Sequence, residues 1–345
     1  MVRRLPEDVI KLVHGGGGAM MGKLIREVLV PEITLRRALD GVGLDELADG
    51  ASMKLGEYEV VVSMDGHTVD PIFFPGGDIG RLAVSGSCND VAMLGAKPVA
   101  LTDSIIVEEG FPIGDLRRII KSMNEAAKEV DVAIVGGDTK VMPKGRLDRI
   151  VIATCGVGLV KKGSAVVDNG AKPGNAVILT GSIGDHGIAL LTVREGLEFE
   201  TELKSDTAPI WETVKAALDV GGVTAMKDPT RGGTAAALNE IASKSGVSIW
   251  MDEEKVQVKD SVRAASEMLG LDPFEVTSEG IAVICIAQDK AEEALKRIKK
   301  TKYGKNAEIV GTVKSERPGY VLLKTVVGGT RIINMPVGEP IPRVC

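Results

Sequence analysis

The stretch RLAVSGSCNDVAMLGAKPVALTDSIIV, residues 81–107, contains both kinds of element from which the chain is built. Residues 81–94 are predicted to form a helix, and the apolar run at residues 98–107 is predicted to form a strand. Outside this stretch, residues 58–64 precede it as another predicted strand. A second helix follows it, and this helix carries one apolar face suited to packing on a sheet. That face consists of Leu116, Ile119, Ile120, Met123, Ala126, Ala127 and Val130.

Strands and helices continue to mix toward the end of the chain, which indicates an α+β or mixed α/β fold. Further strands are predicted at residues 132–135, 149–160, 176–180, 281–287, 308–313 and 320–324. Further helices are predicted at residues 188–194, 210–218, 261–269 and 290–299 and in the residues after Gly233.

A turn-rich segment at residues 161–175 separates two halves of similar size. We expect a glycine-rich N-terminal segment (1–50), an N-terminal domain (51–162), a C-terminal domain (163–330) and a tail (331–345). The tail contains Pro336, Pro340 and Pro342. Because proline cannot continue helices or central strands, the tail is expected to be extended and mobile.

The composition excludes several classes of protein. A chain of 345 residues, 44% of them hydrophobic, can form a core without disulfides. Its net charge of -6 argues against a nucleic-acid partner, although small phosphate-bearing molecules stay possible. Residues 1–13 lack the apolar core of a signal peptide, and the longest apolar stretch has about half the ~20 residues of a spanning helix. We therefore expect a cytoplasmic protein with no membrane partner.

The four cysteines are Cys88, Cys155, Cys285 and Cys345, and none belongs to a CxxC pair, so neither a zinc ribbon nor a redox motif is supported. Cys155 and Cys285 lie in apolar strand-like runs, where small core residues are expected. Cys345 differs because it is the final residue of the sequence.

A glycine run, His14 followed by Gly15, Gly16, Gly17 and Gly18, precedes an apolar segment with helical spacing. Glycines allow backbone N–H groups to turn toward an anion, and the start of a helix adds its dipole. A flexible hinge is the alternative. The run is not a Walker A loop, because no Gly-Lys-Ser/Thr sequence follows.

Four aspartates lie next to or near glycines at predicted strand or helix ends: Asp65, Asp90, Asp138 and Asp228. Such positions are typical of magnesium-phosphate sites, because Mg²⁺ takes oxygen ligands from one or two carboxylates and the substrate phosphates. For any single aspartate, turn formation or helix capping is the better explanation. Four of them together with a glycine run favour a phosphate site.

Several charged side chains are candidates for chemistry. Lys140 could neutralise a phosphate or be an ordinary loop lysine. Glu279 precedes a predicted buried strand, where desolvation could raise its pKa enough for it to act as a base; a solvated turn residue is the alternative. Arg231 and the pair Asp185 and His186 complete the candidates. No two histidines have the spacing of metal ligands.

The order of four motifs resembles the aminoimidazole ribonucleotide synthetase (PurM-like) superfamily over most of the chain. The motifs are MDGHT (64–68), ND (89–90), GGDTK (136–140) and DPTRGG (228–233). The resemblance implies a two-domain fold with a dimeric sheet or barrel in the N-terminal half, an α/β sandwich in the C-terminal half and a flexible tail. It also implies an ATP-magnesium site of aspartates at a dimer interface, and phosphorylation of an amide-type oxygen.

Within that superfamily the chain is similar to the HypE family of hydrogenase maturation proteins. The similarity rests on HGGGG (14–18), the block at residues 69–98, GGDTKV (136–141), DPTRGGTAAALNE (228–240), TSEG (277–280) and PRVC (342–345). One departure is Val344, where isoleucine is common. The resemblance implies that a HypF-type carbamoyltransferase loads Cys345 and that ATP-dependent dehydration then forms a thiocyanate. The cyanide would pass to a HypC–HypD complex for the iron of a nickel-iron hydrogenase.

The resemblance also implies residue roles. Cys345 is expected to be the nucleophile and carrier, Glu279 the base, and Lys140 an electrostatic clamp. The expected magnesium ligands are Asp65, Asp90 and Asp138. The expected ATP-binding residues are these three together with His14, Gly15, Gly16, Gly17, Asn89, Thr139, Asp228 and Arg231.

Two alternatives stay open at this point. Selenophosphate synthetase, thiamine-phosphate kinase and the purine enzyme share the aspartates but have no use for a terminal cysteine. A nucleotide-binding scaffold with a partner-docking tail belongs to a different class of protein.

Overall fold

The computed structural model describes residues 9–196, 203–338 and 340–345. Most of the segment used to argue against a signal peptide, residues 1–8, therefore lies outside the described residues. The strands form a five-stranded sheet, a seven-stranded sheet and a two-stranded ribbon. In the described parts of the chain, no helix is both long and apolar enough to cross a membrane.

The first sheet contains the strands that precede residue 162. They are β1 (Ala51–Leu55), β2 (Tyr58–His67), β5 (Lys97–Glu108), β6 (Ala133–Met142) and β7 (Ile150–Lys161), with the ribbon β3 (Phe73–Phe74) and β4 (Gly77–Asp78) beside them. The order across the sheet is β1-β2-β7-β5-β6. Only β5 and β6 pair in parallel, and β6 forms one edge.

Two helices cover one face of the first sheet. The helices before residue 162 are α1 (Gly18–Leu24), α2 (Ile79–Met93) and α3 (Ile113–Val130). On α3, Ile119, Met123 and Ala126 are buried as their spacing predicted. The opposite face is largely uncovered: Met64 and Cys155 are paired neighbours there, and the side chain of Met64 is 68% exposed.

The second sheet contains the remaining strands. They are β8 (Asn175–Leu179), β9 (Val223–Lys227), β10 (Ser248–Asp252), β11 (Val283–Ala287), β12 (Glu308–Lys314), β13 (Val321–Lys324) and β14 (Thr330–Ile333). Their order is β14-β13-β10-β12-β8-β11-β9. The helices of this half are α4 (Asp185–Glu195), α5 (Trp211–Leu218), α6 (Gly233–Ser245), α7 (Asp260–Leu269) and α8 (Gln288–Ile298).

The central strands of the second sheet are buried on both faces. Val177 of β8 and Cys285 of β11 belong to the apolar cluster that includes α6. Ile178 of β8 and Ile284 of β11 belong to the other cluster, which includes α4, α5 and α8. Helices on both faces of one sheet make the predicted sandwich, and the prediction of a two-domain PurM-like fold is confirmed.

Two strands extend further than predicted. The strand β6 continues to Met142, so Asp138 lies within it, opposite Ser104 of β5. The strand β2 continues to His67, so Asp65 lies opposite Thr154 of β7. The prediction that these aspartates end their strands is wrong, because pairing with a neighbouring strand overrides the weak strand propensity of Gly and Asp.

The end of the tail is folded back onto the body of the protein. Ile341 and Val344 are each 1% exposed and belong to the main apolar cluster. The tail was expected to be extended and mobile, whereas the structure shows these two apolar side chains removed from water.

Candidate active site

The end of the tail, with Cys345, lies between the first and the second half of the chain and contacts residues of both. Cys345 is 9% exposed. Its backbone oxygen accepts hydrogen bonds from the Thr68 N–H at 2.9 Å and from the Thr68 hydroxyl at 3.0 Å. The oxygen of Val344 lies 2.6 Å from Nε2 of His186. Thr68, just after β2, thus holds Cys345, and His186, in the first turn of α4, holds Val344.

Arg231 is the cation that faces Cys345. Interaction with Cys345 is the largest cause of the raised pKa of Arg231, ahead of Asp65 and Glu279. The guanidinium Nη2 is 3.9 Å from the Asp65 carboxylate. Arg231 therefore connects the cysteine to a set of buried acids.

The buried acids repel one another. Burial, and then Asp228 and Asp65, raise the pKa of Asp90 well above its ordinary value. Burial and Asp49 raise the pKa of Asp228 to about 8. Burial, and then Asp65 and Asp228, raise the pKa of Glu279 well above its ordinary value. These five residues are called the acid cluster below.

The acid cluster suits a divalent cation. Among the residues that the structure describes, Oδ2 of Asp228 and Oε1 of Glu279 are buried without a hydrogen-bond partner, and a bound cation would relieve the repulsion between the carboxylates. Within the described residues, however, no three acidic, histidine or cysteine side chains are already arranged around one metal position. The acid cluster therefore suits a cation by its charge and its burial, but its side chains do not form a complete coordination shell.

The structure does not bring three of the predicted residues to the acid cluster. Asp138, Thr139 and Lys140 lie on the exposed edge strand β6, which β5 and β7 separate from β2. Asp138 is ion-paired with Lys140 at 2.7 Å, and that hydrogen bond lowers the pKa of Asp138. Within one chain, the fold does not bring Asp138 to Asp65 and Asp90, because it places Asp138 at the far edge of the sheet, and the magnesium set stays a prediction.

Asn89 has a role in addition to the predicted one. Its side-chain amide donates to the backbone oxygens of Ala208 and Glu279 at 3.0 and 3.2 Å, and its oxygen accepts from the Ile210 N–H at 2.9 Å. The residue is buried, and these bonds engage both ends of the amide. Asn89 thus holds the backbone of Glu279, and its contact with a nucleotide stays a prediction.

The glycine run covers the end of the tail. Gly17 has a φ of +69°, and a Cβ there would lie 2.7 Å from the Arg231 oxygen. A Cβ on Gly18 would lie 2.3 Å from the Pro336 oxygen, so no larger residue fits at either position. Gly15 and Gly16 line a cavity of about 410 Å³ together with Cys345. Nδ1 of His14 accepts a hydrogen bond from the Lys11 N–H.

Two residues of the site were missed in the sequence. Asp49 belongs to the acid cluster, and it is ion-paired with the partly buried Lys227. Lys227 is also 3.3 Å from Glu240. The signal for Asp49 was present, because Asp49 precedes Gly50 just as Asp65 precedes Gly66.

Comparisons with known proteins agree with this architecture. Models of the AIR synthase related protein family match residues 47–160 as its N-terminal domain and residues 172–324 as its C-terminal domain. A hydrogenase expression/formation protein of Methanocaldococcus jannaschii is 48% identical over 337 residues, which is 97% of this chain and 99% of the relative. The carbamoyl dehydratase HypE of Azotobacter vinelandii is 43% identical over 97% of each chain. The chain belongs to the HypE family.

Solved structures of HypE proteins are similar over the same length. The structure of a HypE–HypF complex matches with a TM-score of 0.84 and 44% identity, covering 91% of this chain and 99% of that one. A HypE structure in complex with ATP matches with a TM-score of 0.81 and 40% identity, covering 98% and 100%. Membership of the HypE family makes the chain an enzyme and disfavours both the scaffold and the other PurM-like enzymes.

Proposed function

We propose that the chain dehydrates a carbamoyl group carried on Cys345 to a protein-bound thiocyanate, with ATP and Mg²⁺ as cosubstrate and metal. The observation that carries this proposal is the position of Cys345 in the folded-back tail, beside Arg231 and the acid cluster. A cation that faces Cys345 favours negative charge on that residue, and the thiolate is the nucleophilic form of its side chain. A tethered group also reaches the reacting atoms at a high effective concentration.

The chemistry needs a leaving group and a base. ATP supplies the phosphoryl group that allows the carbamoyl oxygen to leave as phosphate. In sum, S–C(=O)–NH₂ and ATP give S–C≡N, ADP and phosphate, as the C–O bond breaks and the nitrogen loses both protons. Glu279 is the proposed acceptor of one of these protons, because within the described residues its buried Oε1 has no hydrogen-bond partner and burial raises the pKa of its carboxyl. The other proton leaves with the phosphate.

The proposed magnesium ligands are Asp65, Asp90 and Asp228, with Asp49 beside them. Mg²⁺ would neutralise these carboxylates and the phosphates of ATP. Ser63 donates a hydrogen bond of 2.6 Å to Oδ2 of Asp90, which orients that carboxylate. The ATP complex of a 40% identical HypE supports the assignment of the nucleotide.

The exposed edge strand of the first sheet supports a homodimer. The strand β6 is exposed to water along its whole length and on both faces of the sheet, and its apolar side chains Ile134, Val135 and Val141 are among the exposed ones. A second copy packed there would cover them. It would also place Asp138 and Lys140 of one copy in an interface instead of in solvent, where they could approach the nucleotide of the other copy.

A charged substitution on β6 tests the homodimer. Val141 is 67% exposed in the single chain, so Val141→Glu should leave the monomer folded but separate the two copies. We expect sedimentation velocity to show a shift from dimer to monomer. The matched control is Val327→Glu, at a position that is 89% exposed outside the first sheet. A dimer that persists in Val141→Glu would exclude this interface.

The evidence for the proposed partners is of different kinds. The HypE–HypF complex supports a HypF-type carbamoyltransferase as the donor that loads Cys345. A HypC–HypD complex as the acceptor of cyanide rests on the sequence resemblance, and a cytoplasmic location is the expectation drawn from the apolar patterning of the sequence.

Mass spectrometry of the C-terminal peptide tests the proposed function. The chain is incubated with magnesium-ATP, a carbamoyl donor and a HypF-type partner. We expect Cys345 to gain a carbamoyl group and then lose the mass of one water only when ATP is present. An unmodified C-terminal peptide, with the partner shown to be active on another HypE protein, would contradict the proposal.

A further inference from the structure

Arg194, at the end of α4, uses its side chain on backbone oxygens. Its Nε donates to the Asp70 oxygen at 2.5 Å, Nη1 to the Pro342 oxygen at 2.5 Å, and Nη2 to the Arg343 oxygen at 2.6 Å. Two of these three acceptors belong to the tail. Within the described part of the chain, no ion pair joins this guanidinium to a carboxylate, and the nearby Asp70 and Glu195 carboxylates act on it only at longer range. Its charge is therefore directed at the tail backbone, and charge-assisted bonds of this kind are stronger than neutral ones.

His186 holds the next residue of the tail. A backbone oxygen only accepts hydrogen bonds, so Nε2 of His186 must carry the proton that it shares with Val344. Burial lowers the pKa of His186 to about 4, so the ring is neutral and Nδ1 accepts from the Ser205 hydroxyl at 2.7 Å. The edge of the ring also contacts Phe74, with the two ring centres 5.4 Å apart. Contacts with Ser205 and Phe74, neither of which belongs to the tail, thus orient the imidazole.

Four consecutive oxygens of the tail are bound in this way. Arg194 binds those of Pro342 and Arg343, His186 binds that of Val344, and Thr68 binds that of Cys345. None of these bonds involves the thiol. We call Thr68, His186 and Arg194 the latch.

The buried side chains of the tail add contact area to these bonds. Ile341 lies against Gly187 of α4, where a Cβ would stand 3.3 Å from the Ile341 Cδ1. Arg343 instead points outward, and its guanidinium is ion-paired with Asp148. The tail therefore inserts Ile341 and Val344 while the latch binds its backbone.

We propose that Arg194 is the main positioning residue of the latch and sets the fraction of molecules whose tail is closed. Because the latch binds backbone oxygens, it holds the tail by the same contacts before and after Cys345 is modified. Loading by a partner then requires the two bonds from Arg194 to the tail to break. The catalytic consequence rests on the proposed function, whereas the closed position of the tail does not.

The rate of alkylation of Cys345 tests the latch directly. Cys345 is nearly buried in the closed tail, so iodoacetamide should reach it mainly when the tail opens. Peptide-level mass spectrometry separates Cys345 from Cys155, whose partial exposure makes it an internal standard in the same chain. In Arg194→Met we expect Cys345 to react about tenfold faster or more, since two charge-assisted bonds to the tail are lost. Arg194→Lys should give an intermediate rate, because lysine keeps the charge but not the fork of donors.

Matched variants decide the outcome. Arg117 is an exposed arginine on α3, and Arg117→Met should leave the alkylation rate of Cys345 unchanged. Equal rates in Arg194→Met and Arg117→Met would overturn the proposal. If Arg194→Met does not fold, as judged by circular dichroism, Ile341→Ala loosens the tail without a change in α4. The same rise in the alkylation of Cys345 is then expected, and its absence would overturn the proposal.

A second measurement separates the latch from the proposed function. In Arg194→Met, the HypF-type partner should carbamoylate Cys345 at least as fast as in the parent, whereas ATP-dependent formation of the nitrile should fall about tenfold. Faster alkylation with no nitrile in any variant or in the parent would support the latch and reject the proposed function. If alkylation in Arg194→Met is unchanged while the parent forms the nitrile normally, the latch is rejected and the proposed function is supported.

Discussion

Cys345→Ala is expected to abolish the nitrile on the C-terminal peptide and to leave ATP binding unchanged. Alanine cannot form a carbon–sulfur bond, so neither carbamoylation nor dehydration can begin. The side chain of Cys345 is absent from the acid cluster, so the proposed magnesium and nucleotide ligands stay intact. The measurements are mass spectrometry of the peptide and calorimetric titration with ATP.

The matched control for this prediction is Cys155→Ala. Cys155 is half-buried on β7 and faces the uncovered side of the first sheet beside Met64. Its loss should leave the nitrile product in place. Formation of a thiocyanate elsewhere in Cys345→Ala, or product formation that disappears equally in Cys155→Ala, would contradict the assignment of the carrier.

Glu279→Gln should slow formation of the nitrile by about 10²- to 10⁴-fold, the range typical of a lost general base. Glutamine keeps the size of the side chain but cannot accept a proton. Carbamoylation of Cys345 by a HypF-type partner should proceed normally, so the carbamoyl form should accumulate. Time-resolved mass spectrometry of the C-terminal peptide measures both steps in one experiment.

Glu275→Gln provides the control for Glu279. Glu275 is a partly buried glutamate four positions earlier, and Asp272 contributes to its raised pKa, as neighbouring acids do for Glu279. We expect its substitution to change the rate less than twofold. If Glu279→Gln forms the nitrile at the parental rate, Glu279 does not remove the proton, and another acid of the cluster must be considered.

The regular elements were predictable because their side chains repeat with the period of a helix or lie in short apolar runs. The apolar face of α3 is an example: Ile119, Met123 and Ala126 are four and three residues apart and are all buried. The predicted strand over residues 281–287 is also found, as β11 (Val283–Ala287). Local pattern was sufficient in both cases.

The strands missed in the second half had weaker local signals. The strand β9 (Val223–Lys227) has two threonine or lysine residues among five, and β10 (Ser248–Asp252) begins and ends with polar residues. Both are strands because they pair with the interior strands β11 and β12 of the second sheet. Such pairing joins residues far apart in the chain and leaves little trace in a short window of sequence.

Site residues could be predicted only where the type of side chain, such as a carboxylate near a glycine, itself indicates a function. Asp65, Asp90, Asp228 and Glu279 were found as acids near glycines or a buried strand, and the structure brings them together. Asn89 lies among the same motifs but binds the backbone of Glu279, a contact 190 positions away in the chain. The bond from Thr68 to Cys345 spans 277 positions. Contacts of this range follow from the packing of the two domains, which no local pattern encodes.

The folded-back tail has a consequence for inhibition. A free peptide ending in Pro-Arg-Val-Cys would have to displace a segment that is covalently attached to the same molecule. Attachment by a short linker gives a local concentration on the order of millimolar, so such a peptide would appear far weaker than its intrinsic affinity. Variants with a loosened tail, such as Arg194→Met, would be the ones to bind it. A compound that blocks the enzyme efficiently should therefore occupy the nucleotide site instead of the groove of the tail.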